Sequence, residues 1–422
     1  MAESAGSRDM LGRTGVATLA DALALLHAAL AGCPPVDGET IPLHETLGRI
    51  IAGGVIAAEN LPAHPRSTMD GYALRAADTY GATESMPAYL AVRGEVRMGE
   101  LPASGPAPEA CCRIATGGLL PPDTDAVVML EHTVAVDEGL IEVLKPVAPG
   151  NNVMAAGDDV RRGETLLEAG HRLRPCDIGL LAGLGIPQLQ VFRQPRVGIL
   201  STGDEIVPFS SHPPPGKIRD MNGAGLAALV REQGGLPVSY GIVGDSEGPF
   251  TATLARALAE TDLVLFSGGS SVGVRDLGER VLEKLGHILL HGVAVKPGKP
   301  VIVAVAAGKP VFGLPGHPVS AAVSFHLFVR PALHHLGGRS PDRLPPCTVT
   351  ARLARNLNSA PGRTDLVPVR VEANPAGGCL ARPVLGKSGA LSTLVRADGF
   401  LVIEAELQGR YEGDEIAVIL FD

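Results

Sequence analysis

The chain has 422 residues, 45% of them hydrophobic, which supports a sizeable core and, at roughly 100–200 residues per domain, about two to four domains. A net charge of −9 argues against a general nucleic-acid or membrane-surface binder, which would carry a basic balance, but leaves room for a locally positive pocket and an anionic ligand. The six cysteines (33, 111, 112, 176, 347, 379) contain no CxxC or Cys/His ligand spacing and read as reduced thiols of a cytoplasmic protein.

Along the chain, MAESAGSRDMLGRTG lacks the layout of a signal peptide. Thr18 followed by Asp21 reads as a helix start, and Leu19, Leu23, Leu26 and Leu30 recur at helical spacing. The segment carries Asp21 and His27 and is too short for a membrane span, so an amphipathic helix with His27 on its surface or core edge is expected. Next come LAVRGEVRMG (90–99), TDAVVML (124–130) and EGLIEVLKPV (138–147), which read as strands. Dense Gly/Pro punctuation around them suggests a β-rich module, about 60–150, inserted in an N-terminal region 1–190.

Residues 191–338 alternate strand and helix. VGILST, LPVSYGIVG, DLVLFSGG, VIVAV and VFGLPG read as strands, and 222–233, 249–260, 275–286 and the stretch after His317 read as helices. Such alternation implies a doubly wound, mostly parallel sheet with helices on both faces, an α/β domain. Residues 339–422, with CTVTARL, TDLVPVRVE, GFLVIEAEL and DEIAVILF, suggest a small antiparallel β-barrel.

In open parallel sheets, ligands lie beyond the carboxyl ends of the strands. Four turns stand there: Ser201-Thr202-Gly203-Asp204-Glu205, Gly244-Asp245-Ser246, Ser267-Gly268-Gly269-Ser270-Ser271 with Asp276 following, and Gly313-Leu314-Pro315-Gly316-His317-Pro318. Glycine turns and helix N-termini suit a phosphate. Glu205, Asp245 and Asp276 could hold Mg²⁺, which takes a few carboxylates with phosphate oxygens. Lys296 and Lys299, across the turn Lys296-Pro297-Gly298-Lys299-Pro300, suit an oxyanion. Taken singly these residues have plainer readings: Asp245 as a helix cap, Glu205 as a loop residue, the two lysines as surface charges.

In that order STGDE, SGGSSVGVRD, VKPGKP and GLPGHPVSA resemble the molybdopterin-binding domain of molybdenum-cofactor assembly proteins. LHETLGRIIAGGVIAAENLPAHPRSTMDGYALR (43–75), RIATGGLLPPDTDAVVMLE (113–131), GDDVRRGE (157–164), PGRTDL (361–366) and LGKSG (385–389) narrow the resemblance to the molybdopterin molybdenumtransferase family, similar to the gephyrin E domain, over nearly the whole chain. The resemblance implies insertion of molybdate into adenylylated molybdopterin with release of AMP, assisted by Mg²⁺, in a homodimer whose subunits complete one another's sites. It implies catalytic roles for Asp70, Thr116, Asp159, Glu205, Asp245 and Asp276, the last three also toward the metal. Substrate-binding roles fall on Ser67, Gly268, Gly269, Ser271, Lys296, Lys299, Gly316, Ser320, Arg363 and Ser388. Of these Lys296, Lys299, Ser320, Arg363 and Ser388 form the molybdate set, whose cations and hydroxyls match what a tetrahedral dianion needs. Contact with the molybdopterin adenylyltransferase and with acceptor molybdoenzymes is implied as well.

The chain departs from the family pattern at His64-Pro65-Arg66, Met154, Ser270, His317 and Asp365-Leu366. Two other functions stand beside the leading one: molybdopterin adenylylation, performed by relatives of the central domain, and a non-catalytic cofactor carrier or scaffold.

Overall fold

In a computed structural model of the chain, the described residues are 16–268, 272–339, 347–374 and 377–421, with the backbone alone described for 272–276. Gly269, Ser270 and Ser271 lie outside them. Two compact units emerge. One comprises Met1–Gly53, Ala169–Arg174 and Gln188–Asp422, the other Gly54–Glu168 and Pro175–Pro187.

The first unit is built on a six-stranded sheet. Its spatial order is Leu236–Val243, Arg196–Thr202, Leu263–Gly268, Lys309–Leu314, Ile302–Ala306, Gly286–His291. The first four of these run parallel to one another. The expected strands at 301–305 and 311–316 instead form an antiparallel hairpin, and Gly286–His291, an element the sequence reading did not anticipate, adds antiparallel to it. A two-residue Ala307-Gly308 turn, both residues at positive φ, makes the hairpin possible where a crossover helix would otherwise be needed.

Side chains alternate across this sheet. Val197, Ile199, Leu263, Leu265 and Phe312 face one core, shared with Leu226, Val230, Phe328 and the helix Leu19–Leu30. Leu200, Val264, Phe266 and Val311 face the other, against Phe250, Leu254, Leu277 and Val281 of the helices Glu247–Glu260 and Val272–Leu285. The helix Leu19–Leu30 starts as its sequence indicates, with the Asp21 N–H donating to the Thr18 hydroxyl at 3.1 Å, and His27 is exposed on it. The helix after His317 opens with Pro318 in its first turn and widens to a π-helical turn at Phe325–Val329, just before Pro331, which has no N–H to donate.

The carboxyl-terminal residues close a five-stranded barrel. Thr364–Ala373 pairs with Cys379–Pro383 and with Gly399–Ile403; Thr348–Leu353 and Glu415–Leu420 complete the ring. Leu353, Val369, Leu401, Ile403 and Val418 fill it. A two-residue strand, Val295–Lys296, leaves the central domain and pairs parallel with Thr364–Asp365.

The second unit carries a six-stranded sheet that includes Ala88–Val96, Ala126–Met129 and Leu140–Val143, the three strands expected from sequence. Its core holds Leu74, Leu90, Cys111, Val128, Ile141 and Val143. Burial pushes the Cys111 thiol up to about 12, so this cysteine packs as a small apolar group rather than a thiolate. All six cysteines are unpaired, and no helix among the described residues is long and apolar enough to cross a membrane.

One ion pair fixes where the parallel sheet begins. Asp262 accepts from both terminal nitrogens of Arg193, at 2.6 and 2.7 Å, and from the Arg196 N–H at 2.8 Å. Burial raises the Asp262 pKa, but the Arg193 and Arg196 hydrogen bonds outweigh it and hold the carboxyl below the usual range. A depressed folded-state pKa contributes stability at pH above the ordinary aspartate value, lost as pH falls through the lower folded value. Asp262→Asn is therefore expected to cost about 2 kcal/mol near neutral pH and to flatten the acid side of the stability profile, both measurable by denaturant unfolding across pH. An unchanged acid limb would assign that pH dependence to other carboxylates.

Candidate active site

In the second unit, Gly71 of the strand Gly71–Leu74 pairs with Ile114 of Ala110–Ile114. That register brings Asp70 beside Thr116. Asp70 accepts from the Thr116 N–H at 2.7 Å and from its hydroxyl at 2.9 Å. These two hydrogen bonds, the backbone one foremost, hold the exposed Asp70 carboxyl below its ordinary pKa. Ser67 belongs to the same loop cluster, its carbonyl accepting from the Gly117 N–H at 2.8 Å. The Ser67 side chain is buried and closes its own turn by donating to the Met69 carbonyl. Asp159 is exposed, placed through its N–H to the Leu61 carbonyl at 3.1 Å.

In the first unit, the chain steps from Arg196–Thr202 outward to Leu236–Val243, then returns on the other side at Leu263–Gly268. Such a reversal opens a crevice at the carboxyl ends of the strands. Gly268 closes the strand there: a Cβ on it would lie 1.7 Å from the Thr202 carbonyl oxygen, so no larger residue fits. The adjacent Thr202 hydroxyl is buried and makes no hydrogen bond among the described residues, leaving a donor available at the crevice.

Three carboxylates gather beside it. The Asp204 N–H donates to Asp245 at 3.3 Å and the Asp245 N–H returns to Asp204 at 3.2 Å. Glu205 folds back over Gly203, whose φ is +142° and whose added Cβ would meet the Glu205 carboxylate at 2.6 Å. Asp245 is not the cap of the following helix: Ser246 occupies that position, without a side-chain hydrogen bond. Burial raises the Asp245 pKa and repulsion from Asp204 and Glu205 adds to it, against the Asp204 N–H bond. Among the described residues no group of three or more His, Cys, Asp or Glu side chains is arranged to enclose a metal. The Glu205–Asp245 pair does fit Mg²⁺, which takes one or two carboxylates with substrate oxygens and water, and mutual repulsion is what a divalent cation relieves. Asp276 lies in the helix Val272–Leu285, but its side chain is outside the described residues, as are Gly269 and Ser271.

The residues expected from the resemblance to bind molybdate converge. Lys296, Lys299, Gly316, Ser320, Arg363 and Ser388 all line one cavity of about 1340 Å³ between the central sheet and the barrel. Lys296 arrives on the strand pairing Lys296↔Asp365, reinforced by the Thr364 N–H donating to the Ala294 carbonyl at 2.9 Å. Ser388 is fixed by its carbonyl, which accepts from the Val319 N–H at 3.1 Å at the start of the helix bearing Ser320. Four cations, Lys296, Lys299, Arg363 and Lys387, face the cavity against one carboxylate, Asp365. Asp365 is buried between Arg363 (Nε at 3.1 Å) and Lys296 (Nζ at 3.7 Å).

Several residues of this arrangement carry no site role in the sequence pattern, Asp365 standing there only as a departure from the family pattern. Asp365 and Lys387 sit inside the quoted PGRTDL and LGKSG strings, where the neighbouring Arg363 and Ser388 drew the assignment. Asn222 donates to the Ser267 hydroxyl at 2.7 Å and the Gly316 carbonyl at 2.9 Å, joining two rim turns. Asp220 caps the same helix through the Gly223 N–H at 2.8 Å and accepts from Ser201 at 2.6 Å. An acidic residue followed by Asn-Gly at a helix start is the signal that could have found this pair.

Three family descriptions match in chain order: MoeA N-terminal region (domain I and II) over 17–185, Probable molybdopterin binding domain over 198–335, and MoeA C-terminal region (domain IV) over 350–421. The chain is 33% identical over 390 residues to the molybdopterin molybdenumtransferase of Haemophilus influenzae, covering 92% of this chain and 95% of that one. The chain belongs to the MoeA family. To the Bacillus subtilis molybdopterin molybdenumtransferase it is 33% identical over 392 residues, covering 91% and 90% of the two chains. A crystal structure of the Pyrococcus horikoshii MoeA protein superposes with a TM-score of 0.84 at 32% identity, over 96% of this chain and 100% of that one. This MoeA-like architecture agrees with the multidomain α/β fold expected from sequence.

Two outcomes test the geometry. Gly268→Ala should force the strands Arg196–Thr202 and Leu263–Gly268 apart at the crevice and cost roughly 3 kcal/mol or more, read by thermal unfolding. Asp365→Asn should cost about 2 kcal/mol, because Lys296 and Arg363 then face one another with no counter-charge. Wild-type stability in either variant would show that the contact in question is not a constraint on the fold.

Proposed function

We propose that the chain is a molybdopterin molybdenumtransferase that inserts molybdate into adenylylated molybdopterin and releases AMP. The observation carrying this reading is the single cavity in which Lys296, Lys299, Ser320, Arg363 and Ser388 come together from the central domain and the barrel. MoeA-family membership and the similarity to the molybdopterin molybdenumtransferases of Haemophilus influenzae and Bacillus subtilis support the same reading.

The roles follow from residue chemistry. Lys296, Lys299 and Arg363 bind and orient the tetrahedral dianion, and the Ser320 and Ser388 hydroxyls donate to its oxygens. The crevice at Gly268 and the Thr202 hydroxyl receives the pterin phosphate, with Gly269 and Ser271 assigned to the same cradle. Glu205 and Asp245, with Asp276, would hold Mg²⁺, which when bound neutralises phosphate charge at the bond that releases AMP. Asp70 and Thr116, with Ser67 and Asp159, are read as the residues that one subunit of a homodimer contributes to the site of the other. The enzyme is read as cytoplasmic, in contact with the molybdopterin adenylyltransferase and with acceptor molybdoenzymes.

Purified protein incubated with adenylylated molybdopterin, Mg²⁺ and molybdate should release AMP. Glu205→Gln and Asp245→Asn should retain the bound pterin while slowing release by about 100-fold. Release at the unaltered rate in both would remove those carboxylates from the mechanism. Rapid ATP-dependent adenylylation without molybdate would favour the adenylyltransferase reading, and tight pterin binding without turnover the carrier reading.

A further inference from the structure

The molybdate set shares its cavity with a histidine that has no assigned part. His317 stands where the strand Lys309–Leu314 has ended and the helix Pro318–Ser324 begins, and it lines the cavity. Its Nδ1 lies 2.9 Å from the Ser388 hydroxyl oxygen. The contact is supported on both sides by backbone: the Val319 N–H donates to the Ser388 carbonyl at 3.1 Å, and the Ala321 N–H donates to the His317 carbonyl at 2.9 Å. Imidazole and hydroxyl therefore meet on two anchored segments. His317 is exposed toward the cavity rather than packed away.

A hydroxyl has one hydrogen to give. When Nδ1 carries a lone pair, Ser388 donates to it, and that hydrogen is unavailable to a ligand. The neutral ring accepts in its Nε2–H tautomer; in the imidazolium both ring nitrogens carry protons, so Nδ1 must donate and the Ser388 hydrogen is released toward the cavity. The same protonation places a further positive charge on the wall. The groups facing His317 across this space are Lys296 and Lys299 from the turn after Val295, Arg363 and Asp365 from the barrel, Lys387 from the loop before Ser388, and Ser320 from its own helix. Of these residue types, histidine alone ordinarily changes charge between pH 5 and 8.

We infer that His317 is a proton-dependent positioning residue for the oxyanion, turning the Ser388 hydroxyl from imidazole to ligand and adding a charge as it does so. This rests on the reading of the cavity as the oxyanion site. The sign follows from linkage: an anion that prefers the imidazolium form binds more tightly at acid pH, and the added affinity is lost as pH rises.

The test is calorimetric titration of the full chain with molybdate alone at about pH 6 and about pH 8, either side of imidazole titration. Wild-type protein should bind roughly tenfold more tightly at the lower pH. His317→Asn should show no tightening on acidification. His317→Gln serves as a second neutral variant if the first does not fold. A pH dependence unchanged in both variants, or no pH dependence in wild type, overturns the role of His317 and leaves the oxyanion site standing. Absence of molybdate binding at either pH overturns the assignment of the cavity itself, and the inference with it.

Discussion

The site depends on how two separately folded pieces of one unit are held in register, and the contact that does so is the Asp365 carboxylate between Lys296 and Arg363. The central domain supplies one cation and the barrel the other. A parallel pairing only two residues long, Val295–Lys296 on Thr364–Asp365, sets their spacing. Two residues of backbone pairing are weak alone. With a buried carboxylate that accepts from Arg363 and pairs ionically with Lys296, slipping the pairing by one residue would turn Lys296 away and weaken the compensation of a buried charge, which costs more than the backbone hydrogen bonds themselves. Ser388 is held over the helix start by a comparable stitch to Val319. The cavity is thus defined by backbone geometry, with its cations placed before any ligand arrives.

Charge is partitioned within this unit. The chain as a whole is acidic, yet the barrel-side cavity shows four cations to one carboxylate. The carboxylates Asp204, Glu205 and Asp245 gather instead at the ends of neighbouring parallel strands. A reaction that joins an oxyanion to a phosphorylated pterin needs both environments, one to attract a dianion and one to hold a cation against phosphate, and mixing them would let the protein's own ion pairs consume both. Net charge therefore says little about what such a protein binds.

Much of this was legible in the sequence. The amphipathic spacing of Leu19, Leu23, Leu26 and Leu30 and the Thr18 cap gave the first helix, and apolar runs ending in glycine turns gave the parallel strands with their rim. What stayed hidden was pairing. VIVAV and VFGLPG read as two strands of a parallel sheet, because periodicity reports burial and not direction; the Ala307-Gly308 turn decides it. GHILLH and CLARP were missed because six-residue and five-residue runs beside helices or loops carry little periodicity. The motifs identified the ligand-facing residues and passed over the residues that hold them. Asp365, Asn222 and Asp220 also join residues far apart in sequence, reaching Lys296, Gly316 and Ser201 respectively, and of these three only the helix start at Asp220 and Asn222 leaves a local signal.

The chain crosses between its two units four times, at Gly53, Glu168, Arg174 and Pro187. Neither unit is therefore a contiguous gene segment. A truncation at Glu168 or Arg174 leaves part of each core unfilled, and excising the second unit as residues 54–187 carries Ala169–Arg174 of the first with it. During synthesis the first unit begins with residues up to Gly53 but acquires the strand Gln188–Phe192, which pairs with Gly38–Pro42, only after the whole of the second has been made. The second unit thus has the opportunity to fold first, while the opening segment of the first waits for its partner.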